Sequence, residues 1–212
     1  RNEGYTDVIS VHLSAEISGT CANARAAGDS VDGINLHVVD SEIACLMQGF
    51  IALYTAQNKD NMELDELLEK LDEMKQKSNS NAKFIVDSMK NLQKGGRVSH
   101  SEALLGGLLN IKPVLVFQEG KIVPYEKVRT MKKAKSLVEE QFGEEIKKQA
   151  CKKITATVIH SNDEEAGREW MSHLQSLYPD VHFTLSYFGP VIATHLGEGS
   201  LGLGYTTFDL EM

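Results

Sequence analysis

The sequence predicts two consecutive α/β units, the first built on a parallel sheet and the second on a mixed or antiparallel one. Three observations lead there. Short β-rich runs at 6–12, 34–40 and 82–87 are each followed by a helical pattern, the alternation that produces a Rossmann-like parallel layer. From residue 111 the pattern changes, because 111–117 and 121–128 flank Gln118-Glu119-Gly120 and read as a hairpin. Finally, 212 residues at 42% hydrophobic and 25% charged carry enough apolar surface for two small cores. The boundary is expected within 82–112, with 1–95 as the first unit and 96–212 as the second.

Taken in order, the first strand runs into Ser14-Ala-Glu-Ile-Ser-Gly-Thr20, ahead of the alanine-rich helix former Cys21 to Ala27. Ser18 and Thr20 therefore stand at a helix N-terminus. Unpaired amides and the positive dipole end can hold a carboxylate there, and Gly19 lets an anion come close; a plain N-cap explains the same residues. Asp60-x-x-Glu63 resembles a cap for a helix whose Leu64, Leu67, Leu68, Leu71 and Met74 recur on one face, the pattern of a core-facing stripe. Two strands end in Val-Asp-Ser, at Val39 to Ser41 and Val86 to Ser88, and helix capping accounts for both.

The stretch from Leu92 to Phe117 is dense in signals. Gly95-Gly96-Arg97 makes a turn, Ser99-x-x-Glu102 matches a capping box, and Gly106 and Gly107 sit in the short apolar helix that should follow. Each glycine costs that helix roughly 1 kcal/mol relative to Ala, so something approaches its backbone: a sheet or a ligand. Beyond the hairpin, the periodicity predicts helices at about 130–150 and 163–178, with strands near 154–160, 181–187, 190–195 and 201–207.

Several function classes are disfavoured. A formal charge of −8 opposes nucleic-acid binding, which draws its affinity from phosphate neutralisation. Cys21, Cys45 and Cys151 are odd in number and lack C-x-x-C spacing, so a reducing, cytoplasmic setting without a disulfide framework is expected. No apolar run reaches bilayer-spanning length. The histidines show no metal-ligand spacing, so no metal is expected. Gly197, Gly199, Gly202 and Gly204 fit G-x-G-x-x-G-x-G, but a nucleotide fingerprint needs a following helix and a distant acidic residue, and only eight residues remain. The chain starts on Arg1, almost directly on a strand, and reads as a fragment. His195, entering this glycine-rich turn at what reads as a strand end, is placed to project into a cleft, although a lone His is commonly structural.

Leu13 to Thr20, Val39-Asp-Ser41, Gly95-Gly-Arg-Val-Ser99, Leu108-Leu-Asn-Ile-Lys-Pro113, Lys127-Val-Arg129, and Gly189-Pro190 through Thr194-His-Leu-Gly-Glu-Gly199 together resemble the DegV family of bacterial fatty-acid-binding proteins, which includes the B subunit of fatty-acid kinase. The resemblance covers essentially the whole chain, with the family's N-terminal portion missing. It implies two α/β domains enclosing a long-chain fatty acid, with the carboxylate on Ser18, Gly19 and His195 and Thr20, Arg97 and Arg129 near the cleft or a partner-docking face. It also implies a non-enzymatic carrier, without cofactor, nucleic-acid partner or membrane insertion, that hands its acid to an ATP-dependent kinase subunit for acyl-phosphate formation and phospholipid synthesis. Two departures stand out: Leu196-Gly-Glu198 replaces the family's Thr-Gly-Pro, and Ala15 replaces a serine. Glu198 would repel a carboxylate, so it is expected to face solvent. Arg97 and Arg129 could equally pair with acidic side chains. The rival from another class is a stand-alone enzyme on a small carboxylate, with Ser18 as nucleophile and His195 as base.

Overall fold

The computed structural model describes residues 2–98, 111–149 and 153–212. The first unit is a parallel pair, β1 (Asp7–His12) and β2 (Asn35–Asp40), joined through α1 (Thr20–Gly28) and registered from Asp7 opposite Asn35 to His12 opposite Asp40. Helices α2 (Leu46–Asn58) and α3 (Leu64–Lys75) cover it. The leucine stripe does what its spacing predicts: Leu67, Leu71 and Met74 are buried with Met47, Phe50 and Ile51 in one core. The expected cap does not form. The residue preceding α3 is Glu63 in extended conformation with no side-chain cap.

The second unit is a six-stranded sheet of order β5-β4-β3-β8-β6-β7. Its strands are β3 (Ser80–Ile85), β4 (Lys112–Gln118), β5 (Lys121–Val128), β6 (Thr155–His160), β7 (His182–Tyr187) and β8 (Leu201–Thr206). Only β6 and β7 pair in parallel, bridged by α6 (Glu164–Leu177), and the other neighbours are antiparallel. The mixed sheet and the hairpin at Gln118-Glu119-Gly120 follow the sequence reading. The larger sheet nevertheless begins before residue 96, because β3 pairs with β4 and β8 and not with the parallel strands. Its likeness to β2 is confined to the Val-Asp-Ser that follows.

The two faces of the large sheet have different work. On one, Leu201, Leu203 and Tyr205 pack with Val138 and Phe142 of α5 (Met131–Lys147) and with Trp170 and Leu174 of α6. On the other, Phe84, Leu115 and Ile159 join Leu92 of the short α4 (Lys90–Gly95) and Leu196 of α7 (Pro190–Leu196). The span 190–195, read as a strand, is therefore a helix. Pro190 stands in its first turn, where a missing N–H costs nothing, and Gly197 ends it at φ +85°. The tail returns to the first unit, with Leu210 in the α2/α3 core and Phe208 edge-on to Tyr54 at 5.3 Å. The capping box at Ser99 and Glu102 and the glycines 106 and 107 lie outside the described residues.

Candidate functional site

Asp40 organises the two loops that open from the ends of β1 and β2. Its carboxylate accepts from the Glu42 amide at 2.9 Å and, across the strands, from the Ala15 amide at 3.2 Å. The Ser14 amide donates to the Ile43 carbonyl at 2.8 Å, and the buried Ser14 hydroxyl donates to Gly120 at 2.7 Å, which ties the same loop to the β4–β5 hairpin. Ser18 is thereby held against the large sheet. Its hydroxyl donates to Thr20 Oγ1 and accepts from the Thr20 amide, both at 3.3 Å. Gly19 precedes α1 and no side chain caps that helix; a Cβ on Gly19 would meet nothing within 4 Å.

The Gly95-Gly96-Arg97 turn gives each residue a separate task. A side chain on Gly95 would collide with the imidazole of His195, so α4 and α7 approach only because it is absent. Gly96 ends α4 in the left-handed region at φ +65°. Arg97 donates from Nε to the Ile17 carbonyl at 3.4 Å and also bonds the Gly95 carbonyl, which places its guanidinium between the Ser18 loop and the His195 helix.

Ser18, Arg97 and His195 line one cleft, together with apolar residues of both units. The space between the atoms is about 850 Å³, part of it open at the mouth. Its walls are Leu13, Ile17 and Cys45 from the loops and Phe84, Phe117 and Ile159 from the large sheet. Gly202 and Gly204 form part of the floor. In β8 the sequence Leu201-Gly-Leu-Gly204 turns leucines to the α5/α6 core and leaves the cleft face bare. These glycines make room instead of cradling phosphate. Lys83 also borders the cleft, but its ammonium is bound 2.5 Å from Glu145 of α5.

Cys45 completes the wall as a neutral group, since desolvation pushes its thiol up to about 12. It packs as an apolar surface and is no nucleophile at neutral pH. Glu198 is exposed, as its position beside His195 requires, and accepts from Asn162 at 2.9 Å. Gly19 and Thr20 are exposed beside Ser18 but are not part of the wall, and neither is Arg129, which is exposed at the end of β5. Among the described residues, no group of three His, Cys, Asp or Glu side chains could hold a metal ion, and no helix is long and apolar enough to cross a membrane.

Fold and site thus define a protein of two α/β units arranged around an apolar cleft that carries a few polar groups. A family model described as an uncharacterised protein of the DegV family matches residues 1–207. The chain belongs to the DegV family. A DegV domain-containing protein of Listeria innocua is 47% identical over 207 residues, which are 97% of this chain and 72% of the relative. Among solved structures, DegV of Bacillus subtilis, a fatty acid binding protein, is 45% identical with a TM-score of 0.87, covering 96% of this chain and 72% of that one. A fatty acid binding DegV family protein of Streptococcus agalactiae is 32% identical with a TM-score of 0.87, covering 98% and 72%.

Proposed function

We propose that this chain binds a long-chain fatty acid in the cleft, with Ser18, Gly19 and His195 holding the carboxylate and the apolar walls holding the tail. The observation that carries this reading is a predominantly apolar slot whose wall also includes Ser18, Arg97 and His195. Relatives named as fatty-acid-binding proteins support it. Burying a dozen methylenes supplies roughly 10 kcal/mol before ordering costs, so the tail provides affinity. The head group loses water and needs charged hydrogen bonds in return, which the hydroxyl, the helix amides and the imidazole can donate. In the cytoplasm the acid is presented to an ATP-dependent kinase subunit, which forms the acyl-phosphate used in phospholipid synthesis; the carrier performs no bond chemistry itself.

Native mass spectrometry after mild purification tests this. The wild type is expected to carry fatty acids, and His195→Ala to bind palmitate roughly tenfold more weakly, the worth of one hydrogen bond to a charged group. A delipidated protein that takes up no acyl chain would sink the reading. The enzyme alternative gains no support, because among the described residues the carboxylates paired with a histidine are Asp7 on His37 and Glu139 on His173, and none orients His195.

Arg129 is exposed and lies outside the cleft wall, which suits docking better than head-group binding. Arg129→Ala is expected to leave palmitate affinity unchanged and to slow acyl-phosphate formation by the kinase partner at least severalfold. Equal turnover on both carriers would remove Arg129 from the docking face.

A further inference from the structure

A second pocket, about 480 Å³ of space between the atoms counted with its open mouth, adjoins the cleft, and Ile43, Met47 and Phe117 belong to the walls of both. The arrangement is linear. Phe84, Ala82 and Ser80 alternate onto one face of β3; the first two line the cleft and the third lines the second cavity, in steps of about 6.7 Å. Met47 sits where the two spaces meet. Its thioether lies where a side chain on Gly204 would be, and Gly204 is registered opposite Ala82. Beyond it, buried Ile51 and Met74 share the wall with Ser41, Asn81 and the Lys75–Glu42 ion pair, and exposed Lys77 and Glu119 complete a polar rim.

Resting on the fatty-acid reading above, we propose that the two cavities are one acyl-chain slot partitioned by Met47. Ile43 and Phe117 are the fixed sides of the opening. Methionine is the one unbranched, three-torsion side chain of the three, so it can swing aside within a packed wall. Chains short enough for the cleft leave it closed. Longer chains displace the thioether and run over Ser80 into the second cavity, until the polar rim at Lys77 and Glu119 stops the methyl end. Met47 and Ser80 thereby set the upper chain length that the protein accepts.

The test measures affinities of delipidated protein for lauric, palmitic, stearic and arachidic acids in the wild type, Met47→Ala, Ser80→Leu and the double variant, with thermal melting to check folding. Met47→Ala is expected to raise the arachidic-to-stearic affinity ratio on the order of tenfold, since two further methylenes are worth roughly fourfold each. Ser80→Leu should lower arachidic affinity on the order of tenfold and leave lauric affinity unchanged. The double variant should lose the gain seen in Met47→Ala, which a mere widening of the first cavity would not. If the acids bind but neither single variant alters the length profile, the partition is overturned while the fatty-acid reading stands. Ser80→Leu alone decides the matter should Met47→Ala fail to fold. If none of the acids binds the wild type, both readings fall.

Discussion

Gly202→Leu is expected to lower palmitate affinity on the order of a hundredfold while the protein remains folded. A Cβ at Gly202 would already lie 3.2 Å from Phe188 Cζ, 3.6 Å from Phe84 Cβ and 3.8 Å from Ile159 Cβ, all three on the cleft wall. A leucine there has nowhere to extend except into the slot, where it displaces about three methylenes of tail, each worth about 0.8 kcal/mol. Overpacking costs about 1–3 kcal/mol and the Phe188 ring must give by a few tenths of an ångström to admit the Cβ, but the rest of the side chain extends into the slot and replaces a glycine that weakens its strand by roughly 0.5–1 kcal/mol. Loss of stability should therefore be small beside loss of binding. Fluorescent-probe displacement and thermal melting on the same samples separate the two. Palmitate affinity within threefold of the wild type would place the tail somewhere other than over β8.

The same glycines show how far the sequence could be read. As a string, Gly197 to Gly204 suggests a nucleotide loop. As a strand, Leu201-Gly-Leu-Gly204 is a period-two pattern in which one face is apolar and the other missing, and only pairing with Ala82 and Phe84 of β3 reveals what the missing face is for. Where local chemistry decides alone, the reading succeeds: the parallel β1–β2 pair, the α3 stripe and the Gln118-Glu119-Gly120 hairpin are all present. It fails where tertiary contact overrides propensity. Val191, Ile192 and Thr194 are β-branched and favour a strand, yet 190–196 is helical, because Pro190 and Gly197 punctuate it and Gly95 accepts His195 at close range. Ser18 and His195 are legible as candidates from local chemistry and Arg97 through the family resemblance, and their presence on one cleft wall requires the fold. Met47 carried no signal beyond its place in an apolar helix.

Stability should depend on a polar group that the cleft does not use. Glu145→Ala is expected to destabilise the protein by about 3–5 kcal/mol, the cost of leaving a buried charge unpaired. Lys83 projects from the large sheet under α5 with its side chain only 7% exposed, and its ammonium lies 2.5 Å from Glu145 Oε1 and 5.7 Å from the centre of the Tyr125 ring. Asn81 Nδ2 donates to both carboxylate oxygens at 3.1 Å. The Tyr205 phenol is pushed upward, chiefly by burial and then by the Glu145 carboxylate beside it. Removing Glu145 thus strands an ammonium and an amide at once, and the few tenths of a kcal/mol that alanine adds to helix propensity cannot offset them. Lys83→Met should cost less, about 1–2 kcal/mol, because Glu145 is 23% exposed and keeps Asn81. The double variant should be more stable than Glu145→Ala alone, since it removes the unpaired charge together with its partner. Urea unfolding of the four proteins measures this coupling directly. A Glu145→Ala cost below about 1 kcal/mol, or strictly additive single variants, would mean that solvent reaches the pair and screens it as it does an ordinary surface salt bridge.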